Sequence, residues 1–111
     1  MLIDKGYNKN DVVTIKLLTG EEIVGYYDGR DNDGEVLLRK PVTPVPTQQG
    51  QIALAPFLMT SDYMDKGEPL AIRGSATVTM TKTAKAFADA YTQQVSGLDM
   101  SASSKPGLIT A

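Results

Sequence analysis

The chain has 111 residues, 41% hydrophobic and 22% charged, with 11 basic against 13 acidic residues for a net charge of −2. That length supports one small core and sits near the range where a partner surface adds stability. The near-neutral balance excludes chain-wide phosphate neutralisation, and the absence of cysteine excludes a disulfide framework.

The N-terminal arm, residues 1–10, opens MLIDKGYNKN. It carries Asp4 early and has no long apolar segment, so it does not read as a signal peptide, and the expected compartment is the cytoplasm. No apolar run approaches the ~20 residues that span a bilayer, so no membrane partner is expected.

Val13, Ile15 and Leu17 alternate with Thr14 and Lys16, the period of a half-buried strand. Thr19-Gly20 supplies a tight turn, and Ile23, Gly25 and Tyr27 then share one face of a second strand. Gly25 packs nothing itself, which predicts a bend or a close backbone approach there. Tyr26 and Tyr27 point to opposite faces, one into a core or interface and the other outward, where a ring could stack on a base.

After the turn DGRDNDG, the segment EVLLRKPVTPVP reads as a third strand. Pro41, Pro44 and Pro46 cannot donate to a ladder, so its later part is expected along an edge or out of the sheet. QIALAPFLM gives a fourth strand and LAIRGSATVTM a fifth, separated by the polar loop TSDYMDKGEP. Five short strands in about seventy residues without a crossover helix predict an antiparallel small barrel or sandwich.

From Thr81 the chain changes character. Ala84, Phe87, Ala88, Tyr91 and Val95 fall on one helical face, predicting an amphipathic helix over 81–96, stopped by Gly97 and followed by a Ser- and Gly-bearing tail, 97–111. Phe87 and Tyr91 are expected to cap the open end of the barrel or to pack on a neighbour.

Catalytic chemistry finds few residues. Without His or Cys the chain lacks an imidazole base, a thiol nucleophile and the usual zinc ligands, and no Gly-rich phosphate loop leads into a helix. Lys82 and Lys85 near the helix start read as solvated charge. DGRDNDGE is rich in carboxylates, yet counting an EF-hand loop back from Gly34 puts Gly29 first and Lys40 last, where the motif needs acidic anchors. A polar hairpin turn is the better reading. The chain is read as non-enzymatic, with no cofactor and no metal.

The pattern of strand, Gly turn, bent strand with an inner Gly, Asp-containing loop and apolar strand resembles the first motif of the Sm/LSm/Hfq family. Gly20, Gly25, Asp31 and residues 36–38 occupy the corresponding positions. Ile72-Arg73-Gly74 resembles the short signature of the second motif, and the likeness spans roughly residues 11–80. It implies a mostly β fold: a small five-stranded, strongly bent antiparallel Sm-like barrel, here with one C-terminal helix placed after it. It also implies a homo-oligomer, a ring of about five to seven subunits in which edge strands of neighbours pair. With its helix behind the barrel and a lengthened loop before the last strand, the chain is similar to divergent Sm-like proteins of bacteriophages that infect marine bacteria (cyanophage type).

Family members that bind RNA use an Asn after the loop Asp, a stacking residue in that loop, and the Arg-Gly pair. The corresponding positions are Glu35, Gly34, and Arg73 with Gly74, so the resemblance implies an RNA site of Asp31, Glu35, Arg73 and Gly74 that departs from the pattern at two places. A carboxylate accepts a hydrogen bond from a uracil N–H but repels phosphate. The bland reading has Arg73 paired with an acidic residue across a subunit boundary. Phosphate contact would require Arg30, Arg39, Lys40 and Arg73 to converge. Two readings follow: a ring that works as a binding or assembly module contacting RNA, and a phage virion structural or decoration subunit whose partners are other phage proteins.

Overall fold

The structure is a computed structural model describing residues 6–100, with side chains through Ser96. The distal arm and most of the tail named above lie outside these residues. The fold is mostly β, a strongly bent antiparallel sheet with a C-terminal helix. The strands are β1 (Val12–Leu17), β2 (Glu22–Arg30), β3 (Val36–Pro46), β4 (Ile52–Pro56), β5 (Leu70–Ile72) and β6 (Thr77–Lys82). The helices are α1 (Tyr63–Lys66) and α2 (Lys85–Met100).

Hydrogen-bonded neighbours run β4-β3-β2-β1-β6, and β5 pairs with the first half of β3. β4 lies along Val42–Pro46 of β3, and β5 lies along Val36–Leu38. The two short strands therefore flank the same side of β3, interrupted by residues 57–69. That interruption folds its own turn of helix, α1, closed by Gly67 at φ 72°, whose N–H reaches the Tyr63 carbonyl at 2.8 Å.

Three expectations need correction. The fifth strand is two strands, β5 and β6, because the chain makes a 3₁₀ turn over Gly74–Ala76 between them. The helix begins at Lys85, since Thr81 and Lys82 pair with Thr14 and Val13 as part of β6. It also runs through Gly97 to Met100; a lone glycine costs a helix only about 1 kcal/mol and does not end it without a cap.

The third strand stays in the sheet despite its prolines, and the register shows how. The Thr47 N–H donates to Gln51 O at 2.8 Å, which makes Val45 and Thr43 the residues bonded to β4 and turns Pro44 and Pro46 the other way. β2 pairs no further along β3 than Val42, so the missing N–H groups face no strand. The prolines do occupy an edge, but on one side of the strand only.

A one-residue bulge organises the bend. Val24 pairs with Val42 and Tyr26 with Arg39, so β3 carries an extra residue opposite Gly25. Lys40 takes it up in the left-handed region, at φ 52°. A Cβ on Gly25 would lie 3.2 Å from both Arg39 O and Pro41 Cα, so the close approach expected at this glycine is real. The extra residue also flips the alternation of β3: Val36 and Leu38 face one core, Val42 the other.

The inner cluster holds Val13, Ile15, Ile23, Tyr27, Val36, Leu38 and Ile72. On the opposite face Val24, Val42 and Leu54 pack with Tyr63 and Met64 of α1 and with Tyr91 and Val95 of α2. The helix thus covers the outer face of the curled sheet and does not cap its open end. Tyr27 is buried inside, and Tyr26 is half-buried under α2 with its ring 5.1 Å from that of Tyr91, edge to face. Neither tyrosine of β2 is the exposed stacking platform expected. Of the expected helical face, Tyr91 and Val95 are buried, Phe87 and Ala88 are half-buried, and Ala84 precedes the helix and is exposed.

Candidate functional site

The loop after β2 is a hairpin built on Asp31. Its Oδ1 accepts hydrogen bonds from the N–H groups of Asp33 at 2.9 Å and Glu35 at 3.0 Å, and its own N–H donates to Glu35 O at 3.0 Å. This is the use an Asx side chain makes of a tight turn, and Gly34 at φ 83° completes it. Arg30 adds a hydrogen bond from Nη1 to Gly34 O at 2.7 Å.

Glu35 then reaches across the fold. Its Oε1 accepts the Gly74 N–H at 2.5 Å, a charge-assisted bond joining the loop after β2 to the 3₁₀ turn after β5. Three residues of the implied RNA site, Asp31, Glu35 and Gly74, are therefore linked through one chain of hydrogen bonds. Arg73 precedes Gly74, and its carbonyl accepts from Ala76 N–H and Thr77 Oγ1, which orders the turn. Its exposed side chain makes no ion pair or hydrogen bond among the described residues. An acidic partner for it is absent among the described residues.

Beside the Glu35–Gly74 bond lies a cavity of about 310 Å³ with an apolar floor of Ile15, Val36, Ile72 and Met80 and a rim of Tyr7, Arg30, Glu35 and Thr77. Arg73 does not line it. Tyr7 came unheralded in the sequence, where no pattern singles it out. Its ring lies 5.7 Å from that of Tyr27, and its hydroxyl donates to Met80 O at 3.0 Å.

Of the four basic residues, Arg30 bonds the loop after β2 and Arg73 precedes the turn before β6, whereas Arg39 and Lys40 belong to the bulge in β3. Arg39 sits at the bulge, stacked 5.2 Å over the Tyr26 ring, with Nε 3.5 Å from Asp28 Oδ1 and Nη2 donating to Asn10 Oδ1. Asp28 Oδ1 also lies 3.5 Å from Lys9 Nζ. This group braces the bulge. Lys82 lies 3.6 Å from Asp11 and Lys85 2.9 Å from Asp89, surface pairs worth less than about 1 kcal/mol each.

Two hydroxyls hold the bulge from the helix side. Tyr91 donates to Lys40 O at 2.7 Å, and Tyr63 donates to Pro41 O while accepting the Phe57 N–H at 2.6 Å. Burial raises both hydroxyls above the usual tyrosine value, Tyr91 the further, so they are neutral donors.

Among the described residues no three acidic side chains gather as metal ligands would, and no helix there is long and apolar enough to cross a membrane.

No family model matches the chain, and no curated protein matches it. Among solved structures it is similar to the SmAP1 heptamer of P. aerophilum, at 16% identity over 68% of this chain and 81% of that one, with a TM-score of 0.44. It is likewise similar to a heptameric archaeal Sm protein, at 16% identity over 68% of this chain and 88% of that one, with a TM-score of 0.44.

Proposed function

We propose that this protein is a non-enzymatic homo-oligomer, an Sm-like ring that serves as a binding or assembly module. The supporting observation is the pair of open strands at the two ends of the sheet. In β4 the register with β3 leaves Ile52 and Leu54 presenting N–H and C=O groups away from the sheet. In β6 the Thr83 N–H donates to Val12 O at 3.0 Å, so Thr81 faces β1 while Met80 and Lys82 present their backbone groups outward. Two residues on each edge can pair antiparallel, β4 of one copy with β6 of the next. Ile52 is 50% and Val78 59% exposed, so apolar area is available beside both edges. Ile52 and Leu54 also border a nearly apolar recess of about 280 Å³ against Ala86, Phe87 and Ala90 of α2. A head-to-tail contact of this kind closes a ring when its rotation allows.

On the ligand, the Glu35–Gly74 bond favours protein partners over RNA, the partners that the second reading, a structural or decoration subunit of a virion, calls for. Glu35 occupies the backbone donor that a ligand would meet, and its charge opposes phosphate. Native mass spectrometry of protein purified without nuclease tests both parts together. A closed oligomer without nucleic acid supports the structural role, one retaining RNA supports the RNA-binding role, and a monomer at all concentrations overturns the ring.

A further inference from the structure

Met80 offers its carbonyl at the open edge of β6, and that carbonyl already accepts a hydrogen bond from within the chain. Tyr7, five residues before β1 begins, donates its hydroxyl hydrogen to it at 3.0 Å. The arm is not free to drift there. Asn8 N–H donates to Asp11 Oδ2 at 2.8 Å, Asn10 N–H donates to Tyr27 O at 2.7 Å, and the Tyr7 ring packs beside that of Tyr27 in the inner cluster. The phenol oxygen is thus held at a backbone acceptor that an added strand would use.

We propose that Tyr7 is a latch on the β6 edge: its hydroxyl competes with β4 of a second copy for Met80 O. The inference rests on the ring reading above and adds a control to it. While the latch is closed, one of the few outward backbone acceptors of β6 is satisfied within the chain, and the edge is a poorer template for any strand. That protects a short edge from indiscriminate pairing, as charge does where Lys82 follows two residues on. When a correct neighbour arrives, its N–H replaces the phenol, and Tyr7 is released toward the cavity it already lines.

Tyr7→Phe keeps the ring that packs on Tyr27 and removes only the hydroxyl. Sedimentation velocity over a dilution series should show the variant assembling at roughly five- to tenfold lower protein concentration than the parent, the weight of one competing hydrogen bond. Equal assembly concentrations for an oligomeric parent and variant would overturn the latch and leave the ring intact. Weaker assembly of the variant would make Tyr7 part of the interface and equally overturn it. Parent and variant both monomeric throughout would sink the ring reading and the latch with it.

Discussion

Tyr91 of α2 donates its hydroxyl hydrogen to the carbonyl of Lys40 at 2.7 Å, and Lys40 is the left-handed residue that turns β3 from one core to the other. The same hydroxyl lies 3.3 Å from Arg39 O. The helix is therefore fastened to the bulge at which β3 passes from one core to the other. Tyr91→Phe should cost about 1–2 kcal/mol by leaving a partly buried carbonyl short of its donor. Tyr91→Ala should cost about 3–5 kcal/mol by opening a cavity as well. Urea unfolding midpoints read both, and equal losses for the two variants would show that the hydroxyl, not the ring, carries the packing.

Gly25 lies opposite that bulge. Gly25→Ala places a methyl group 3.2 Å from Arg39 O and Pro41 Cα, both backbone atoms in a braced segment, so the sheet must shift to admit it. A loss of about 1–3 kcal/mol is expected, seen as a lower thermal midpoint. An unchanged midpoint would mean that the bulge yields freely and that the tyrosine clamp does not fix it.

Sequence periodicity revealed the strands of the first half because Val13, Ile15, Ile23 and Tyr27 keep strict alternation on one inner face. It failed where backbone geometry changes without a marker residue. Lys40 adopts a conformation that usually calls for glycine, so nothing in RKPV announced that Val42 faces the other core. The turn over Gly74–Ala76 likewise divides what reads as one continuous strand. Prolines suggested departure from the sheet, whereas the register lets Pro44 and Pro46 face the unpaired side. At the candidate site, Asp31, Glu35 and Gly74 were legible as loop and turn positions. Tyr7 was not, because its role depends on a contact 73 residues away in sequence.

The two clamp tyrosines also set an alkaline limit. Burial raises the folded-state values of Tyr91 and Tyr63 above the ordinary value of 10.0, so the folded chain keeps protons that the unfolded chain releases. Below that ordinary value both states are protonated and the contribution is intact; above it the unfolded state gains and stability falls. Each tyrosine adds up to about 1.4 kcal/mol of loss per pH unit in that window. Stability measured from pH 9 to 11.5 should fall less steeply for Tyr91→Phe than for the parent. Identical slopes would show that Tyr91 ionises normally in the fold.

The open edge of β4 gives a test separate from the latch. Ile52 is half exposed and turns its backbone groups away from β3, so Ile52→Lys leaves the ladder within the chain untouched. A lysine here places charge where a neighbouring strand must dock. Stability of the isolated subunit should change by no more than about 0.5 kcal/mol, while the oligomer dissociates. A variant that still assembles like the parent would move the interface away from this edge.

Glu35 decides what the mouth of the sheet can hold. Its Oε1 accepts the Gly74 N–H, and its charge sits on the rim of the cavity above Ile15, Val36 and Ile72. Glu35→Gln keeps an acceptor for Gly74 and removes the charge, whereas Glu35→Ala removes both. If the carboxylate excludes nucleic acid, oligouridine binding measured by fluorescence anisotropy should strengthen for Glu35→Gln, by roughly tenfold per 1.4 kcal/mol of relieved repulsion. It should then weaken again when Arg73→Ala is added, because Arg73 is the exposed cation next to Gly74. If neither variant binds, the mouth is structural, and its hydrogen bonds serve to tie the hairpin after β2 to the turn before β6. That outcome would favour protein partners, since the same rigid rim then borders the β6 edge guarded by Tyr7.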